Sequence, residues 1–486
     1  MRIMVLGGSA AGQFTALLSA RAGHEVVLLD RDSLDPAPDI ETAASAFRRA
    51  VPQFVQPHVV LPRCRLLLRQ ALPDVYDALL AAGAREATLA SAMPPTVSDR
   101  AGRPGDDEYT SVATRRSTLD WVLRCAVADQ PGIQALGDVR AIGLLTRRGS
   151  PPRVVGCATT RGDLAADLVV DATGRRTAID AWLEAVGARR SCTVQAECGL
   201  AYYSRHYRLR PDAALPGPET TRVVLALSEF TAGIWGGDNR TMIVAFGPLV
   251  QDKRFRCVTD PDVFTAVASS VPALAPWLAV MAPISGIYPM GGLRNSMRRL
   301  TADGVPVAAG LAAVGDSVCT TNPTLGRGLA LALHGATDLV EQLGTYGEDA
   351  MGLAQALDSF VTRHVEPFYA DQAASDGRRL AELRHTLFGA PVPETTPPED
   401  RVTFAELRAA MPFDATVFRA FWRVLGMLAK PDDVYTDPGV VDRTRDVLRA
   451  RDVTPARTEP TRAKLQAALG SGTGPTPVAP ADARAI

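Results

Sequence analysis

The sequence predicts an α/β chain, α+β overall. It reads as a Rossmann-like nucleotide domain, an antiparallel β-sheet domain inserted into it, and C-terminal helices. Three observations predict this. The chain opens as strand, glycine turn, helix and strand over residues 3–30, IMVLGGSAAGQFTALLSARAGHEVVLLD. Segments of the same α/β character return near 115–175 and 305–345. Between them, from Ala196 to about Pro248, short β-type runs are separated by Pro, Gly and Asn clusters, as in an antiparallel sheet.

The elements follow in order. Ile3–Leu6 is an apolar strand, Ala11–Ala22 has helical composition ending at Gly23, and Glu25–Leu29 is a second apolar strand. Residues 31–57 are polar, contain proline and read as loop. Leu61–Leu72 and Val75–Ala82 read as helices, 95–109 as a polar glycine-rich stretch, and Leu119–Ala128 as another helix. Residues 153–171 hold two strand-like runs ending in LVVDATG. After the β-rich block come a strand, a loop and a long small-residue helix over 305–345, then mainly helix over 351–449. The Pro/Thr/Ala/Gly-rich tail reads as disordered apart from a short helix near 461–469. The expected division is a discontinuous nucleotide domain (1–75, 105–185 and 285–350), a substrate domain (76–104 and 186–284), a helical region (351–452) and the tail (453–486).

Bulk properties exclude several classes. The formal charge of the 486 residues is −1, which suggests neither a nucleic-acid surface nor an acidic-membrane surface. No run of about 18 uncharged apolar residues appears, so no membrane span is expected. The first strand begins almost at Met1, with no cleavable signal ahead of it. The seven cysteines have no C-x-x-C or Cys/His ligand spacing, so the chain reads as reduced and cytoplasmic, without structural zinc. Only three lysines occur, Lys253, Lys430 and Lys464.

GGSAAG nearly spells the dinucleotide fingerprint G-x-G-x-x-G, with Ser9 in place of its second glycine. Gly7 makes the tight turn, and Gly12 lets the helix pack closely on the sheet. Between them, backbone N–H groups at the positive helix end approach a pyrophosphate. Ser9, Ala10 and Ala11 are small enough for that approach, and the Ser9 hydroxyl is itself a phosphate donor. Asp30, at the end of the second strand, is placed to hold ribose hydroxyls, followed by Arg31. This motif alone does not separate NAD from FAD.

Residues 314–334 read VGDSVCTTNPTLGRGLALALH. They resemble the GD region of the FAD-dependent (class A flavoprotein) monooxygenases. The resemblance implies that Asp316 binds the ribityl chain of FAD. It also implies that the loop with Asn322, Pro323, Gly326 and Gly328 lies against the flavin. DLVVDATGR (167–175) resembles the family's central DG region, which implicates Asp171. Arg116 in RRSTLDW and Arg48 before VPQ match two basic cofactor-contacting positions. The ordered set spans residues 5–335 and is most similar to actinobacterial polyether-type olefin epoxidases. It implies a glutathione-reductase-type FAD domain.

The resemblance also implies the chemistry. NADPH or NADH, directly or through a flavin reductase, reduces FAD. Oxygen then gives a C4a-hydroperoxide that oxidises an electron-rich small lipophilic substrate, with no protein nucleophile. Aromatic hydroxylases often carry His where this chain has Cys319, which tilts the reading toward epoxidation of a polyketide or polyene alkene. Ring hydroxylation, a cyclase with structural FAD, and reduction of isoprenoid double bonds are the rivals. The absence of a W-x-W-x-I-P segment, and of any lysine before Lys253, argues against halogenation. The substrate wall is expected from the β-rich block and C-terminal helices, with Tyr202, Tyr203, His206, Trp235 and Met242 as candidates. Alternation sends Tyr202 and His206 to one strand face and Tyr203 to the other. FRAFWRVLGML reads as a packing helix over the pocket rather than a membrane anchor.

Overall fold

The computed structural model describes residues 1–46, 48, 51–392, 398–450 and 459–471. Strand β1 (Arg2–Leu6) is a run of side chains buried on both faces, as a central parallel strand requires. Gly7, at φ +106°, turns the chain into α1 (Ala10–Arg21). The return strand β2 (Glu25–Leu29) pairs parallel with β1, Val5 opposite Leu28. Asp39 then caps α2 (Ile40–Ser45), accepting from the Glu41 and Thr42 N–H groups. Further on come α3 (Arg116–Asp129), β3 (Ile133–Leu136) and β4 (Leu168–Asp171). The inserted sheet contains β5 (Tyr202–Leu209), β6 (Arg222–Ala226), β7 (Phe230–Gly236), β8 (Thr241–Pro248) and β9 (Met281–Met290). The chain re-enters the first domain at β10 (Leu311–Ala313) and α4 (Gly328–Tyr346). It closes with α5 (Glu366–Phe388), α6 (Phe404–Ala410) and α7 (Ala415–Leu425).

Three remote stretches form one parallel sheet, in the order β10-β4-β1-β2-β3. Its α1/α4 face is a core that includes Val5, Phe14, Leu17, Leu123, Val170 and Leu333. The other face, with Met4, Leu6, Val27 and Val169, packs on a small antiparallel sheet that supplies Leu144, Val154 and Cys157. Helices, parallel sheet and small antiparallel sheet therefore stack as three layers. All five strands of the inserted sheet pair antiparallel, in the order β6-β7-β8-β5-β9.

Two local expectations change. Residues 31–57, read as loop, contain α2 and a 3₁₀ turn at Pro52–Val55. Both are too short to display a hydrophobic period, and capping rather than burial starts α2. Residues 153–171 hold three strands, Arg153–Thr159, Gly162–Ala165 and Leu168–Asp171, because Gly162 at φ +104° closes a tight hairpin. The helix read near 461–469 is Arg462–Leu469, while residues 453–458 and 472–486 of the tail lie outside the described residues. FRAFWRVL of this segment lies in α7, with Phe418, Phe421 and Trp422 in a buried cluster that also takes in Leu325, and Gly426 ends the helix. Among the described residues no helix is long and apolar enough to cross a membrane.

Candidate functional site

The GGSAAG turn is packed so tightly that its glycines are obligatory. A Cβ at Gly12 would lie 1.8 Å from the Gly7 carbonyl oxygen, and one at Gly7 2.5 Å from that of Ala172. Ser9 is the N-cap residue of α1, yet its side chain caps nothing. Its Oγ instead accepts from Arg116 Nη2 at 3.0 Å. With the oxygen thus engaged, the hydroxyl proton is free to donate at the helix N-terminus, beside the N–H groups of Ala10 and Ala11. Arg116 is buried and paired through Nε with Asp120, 3.0 Å away.

Asp30 is buried at the end of β2. Its Oδ2 accepts the Gly8 N–H at 2.5 Å and Oδ1 the Asp32 N–H at 2.8 Å. Arg48 lies above it, 3.4 Å from both Asp30 Oδ2 and the Gly8 carbonyl oxygen, with its buried Nε 3.5 Å from Asp32 Oδ2. Arg31 is exposed and has no ion-pair partner among the described residues.

The second motif meets the first directly. A Cβ on Gly315 would lie 2.6 Å from that of Ala11, so the GD turn rests on the first turn of α1. Asp316 therefore stands beside the glycine turn, close to Gly174 and Gly328. Burial raises its carboxyl pKa, with Arg116 and Arg175 pulling the other way. Gln53 Nε2, from VPQ, lies 3.5 Å from Asp316 Oδ2. Asp171 has no free oxygen. It accepts from Thr173 N–H and Oγ1, from Thr177 Oγ1 and from Ser317 Oγ, and Ser317 Oγ accepts the Gly174 N–H. Asp171 thus knots DATGR to the GD turn.

The loop from Asn322 to Gly328 is clamped from behind. Asn322 Nδ2 donates to Asp376 Oδ1 at 2.9 Å, its N–H donates to Asn295 Oδ1 at 2.6 Å, and its Oδ1 accepts from the Tyr202 hydroxyl. Arg327, fully buried, pairs with Asp371 at 2.6 Å, and Tyr435 donates to the other Asp371 oxygen. Pro323 opens the 3₁₀ turn, and Gly326 at φ +72° ends it against Val59. Sequence reasoning missed Gln53, Ser317, Arg327 and the acids of α5. Arg327, between two glycines of a loop, was the one visible signal.

His58 is the histidine that ends the VPQ-to-His stretch of the motif series. Its Nδ1 lies 2.9 Å from the Gln56 carbonyl, which can only accept, so the proton sits there and Nε2 is the acceptor. Burial, helped by Arg116, pulls its pKa down to about 4, leaving a neutral imidazole at physiological pH.

The five substrate-wall candidates divide. Tyr202, His206 and Trp235 share one face of the inserted sheet. Tyr203 and Met242 turn to the opposite face, into the core around Phe246 and Phe264. The strand alternation that separates Tyr203 from Tyr202 also puts Met242 opposite Tyr207, on the core side.

Asp376 yields a pH prediction. Burial pushes its pKa up to about 6 against three amide donors, Asn295, Asn322 and Gln372. A raised carboxyl pKa gives stability that is complete below the unfolded value of about 4 and lost as pH rises through 6. The stability of the wild type relative to Asp376→Asn should fall by up to about 1.4 kcal/mol per pH unit between those values and then level off. Urea unfolding midpoints across pH 4–8 measure it.

No family model matches the chain. Protein Rv3254 of Mycobacterium tuberculosis is 25% identical over 470 residues, covering 90% of this chain and 91% of that protein. PqsL of Pseudomonas aeruginosa, described as "a probable FAD-dependent monooxygenase", superposes with a TM-score of 0.53 at 15% identity, over 79% of this chain and 99% of PqsL. The myxobacterial chondrochloren halogenase CndH, an FAD-dependent halogenase, gives 0.57 at 16% identity, over 96% and 95% of the two chains. The chain has the fold of the flavoprotein monooxygenases and FAD-dependent halogenases, with its Rossmann-type domain.

Proposed function

We propose that the chain is an FAD-dependent monooxygenase that epoxidises an alkene of a lipophilic polyketide or polyene intermediate in the cytoplasm. NADPH or NADH is the reductant, directly or through a flavin reductase. The carrying observation is the meeting of the glycine turn with the GD turn, Gly315 against Ala11, two segments some 300 residues apart. In this reading a diphosphate at the glycine turn and a polyol at the half-buried Asp316 carboxylate belong to one bound molecule. The unengaged Ser9 hydroxyl proton and the long contacts of Arg48, 3.4–3.5 Å from Asp30 and Asp32, both suit an oligoanion there.

In this reading Ser9 and the α1 N–H groups hold the diphosphate, with Arg48 and Arg116 balancing its charge. Asp30 takes ribose hydroxyls, and Asp316 takes the ribityl chain. The Asn322–Gly326 loop and the start of α4 offer backbone N–H groups to the electron-rich edge of the ring system. Bound FAD supplies reduction of dioxygen and transfer of one oxygen atom. His206, Tyr288 and the Val51–Val55 turn close the cleft against water, the His206 Nε2–H donating to the Val55 carbonyl at 2.9 Å. Cys319 is buried, and burial raises its thiol pKa, so it serves as packing.

The three lysines are exposed, which supports oxygenation over a lysine-guided halide chemistry. Purified protein should be yellow, and its product from candidate polyenes should carry one ¹⁸O from ¹⁸O₂. Unlabelled product rejects the reading. Halogenated product formed only with added halide replaces it.

A further inference from the structure

The inserted sheet carries a row of side chains that leads away from the cleft and ends in an unanswered charge. Register places His206 opposite Ile243, Ile243 opposite Trp235, and Trp235 opposite Arg222. Directly paired residues share a face, so the four form one row across four strands, about 14 Å long at the usual strand spacing. Its inner end touches the site. His206 contacts Val55, two residues from the Gln53 that reaches Asp316. Its outer end is β6, the edge strand.

The two faces of β6 differ. Val223 and Leu225 pack against the sheet core. Arg222, Val224 and Trp235, on the row's own face, are half-buried and join none of the hydrophobic clusters. The Trp235 ring lies against Gly233, where a Cβ would come within 2.5 Å of it, so the chain keeps space for that ring. Arg222 Nη1 is sealed from solvent, and among the described residues the side chain has no hydrogen-bond or ion partner. Burial alone pulls its pKa down to about 10, with no carboxylate opposing. By contrast Arg115, Arg116 and Arg327 each hold a carboxylate. A guanidinium with one nitrogen sealed and no anion beside it carries part of a desolvation cost, and a bound oxyanion offsets it.

We propose that Arg222 is the anion receptor of the substrate site, binding the carboxylate or phosphate head of an apolar substrate whose body lies against the half-buried Trp235. This rests on the oxygenase reading for the word substrate, and it narrows that substrate to an amphiphilic anion.

Decanoate, decyl phosphate and decanol, titrated by calorimetry below their aggregation limits, test it on the purified chain. At least one anion should bind about tenfold or more tighter than decanol, a gap of about 1.4 kcal/mol. Whichever anion binds tighter identifies the head group. Arg222→Gln should erase the gap. Arg222→Lys should keep part of it, so a variant that fails to fold is recognised. Trp235→Leu should weaken all three probes and leave the gap unchanged. Equal binding of acid and alcohol, an undiminished gap in Arg222→Gln, or no binding of any probe overturns the proposal. Visible flavin absorbance is recorded alongside. A colourless chain that keeps the gap defeats the oxygenase reading alone, and a yellow one without it defeats the receptor alone.

Discussion

Replacing Asp238 with alanine should destabilise the folded chain by about 3–5 kcal/mol. Arg115 and Asp238 are both fully buried, and their side chains meet at 2.9–3.0 Å. Asp238 also accepts the Arg115 N–H at 2.8 Å and the Thr118 hydroxyl at 2.6 Å. Arg115 immediately precedes α3, and Asp238 follows β7 of the inserted sheet, so the cluster pins that helix to the inserted sheet. Removing the acid leaves Arg115 with Glu41 alone, a half-exposed partner in a better-screened setting. Burial by itself would raise the Asp238 pKa, but hydrogen bonds and charge from Arg115 bring it below the usual carboxylate range. The contribution is therefore intact above that range and lost as pH falls through the lowered value. Urea unfolding followed by tryptophan fluorescence measures the loss. A cost under about 1 kcal/mol would mean that water reaches the pair. The double replacement Arg115→Met with Asp238→Leu should recover much of the stability, because no charge is then buried without its partner.

How far the sequence announces this molecule depends on how local each feature is. The first βαβ unit was legible because a buried strand, a glycine turn and a small-residue helix are written in 28 consecutive residues. The GD turn was legible as a motif, but its contact with α1 is a three-dimensional fact that no residue spacing contains. Asp171 shows the limit of motif transfer. It ends β4, and its carboxylate is consumed by Thr173, Thr177 and Ser317. Asp371 and Asp376 gave no signal, because an acid on a long helix normally reads as solvated face. Only folding shows that Arg327 and Asn322 come to them. Arg222 was invisible for the converse reason, since the sequence of an edge strand does not say which arginine lacks a partner. Met242 and Tyr203 illustrate phase: a β-rich block announces itself, but which face meets the cleft depends on the register.

The glycine turn gives the sharpest test of function, because its two departures from freedom have opposite consequences. Gly12→Ala places a methyl 1.8 Å from the Gly7 carbonyl oxygen, a backbone atom that moves only if the turn opens. Opening it scatters the N–H groups that the turn gathers at the start of α1, so FAD affinity should fall by far more than tenfold and the protein should purify colourless. Circular dichroism separates that result from global unfolding, since the helices and sheets outside the turn remain. Ser9→Gly restores the full fingerprint and should behave differently. It loses one hydroxyl donor, worth about 1 kcal/mol, and frees Arg116 Nη2 to reach the phosphate itself, so affinity should change only a few-fold. Ser9→Asp enlarges the side chain by two heavy atoms and reverses the electrostatics. A carboxylate at the helix N-terminus would pair with Arg116 and repel the diphosphate, leaving a stable but flavin-poor protein. Quenching of FAD fluorescence on titration ranks the three variants. If Gly12→Ala stays yellow while Ser9→Asp binds as tightly as the wild type, the diphosphate does not sit on this turn, and the convergence of Gly315 on Ala11 serves packing alone.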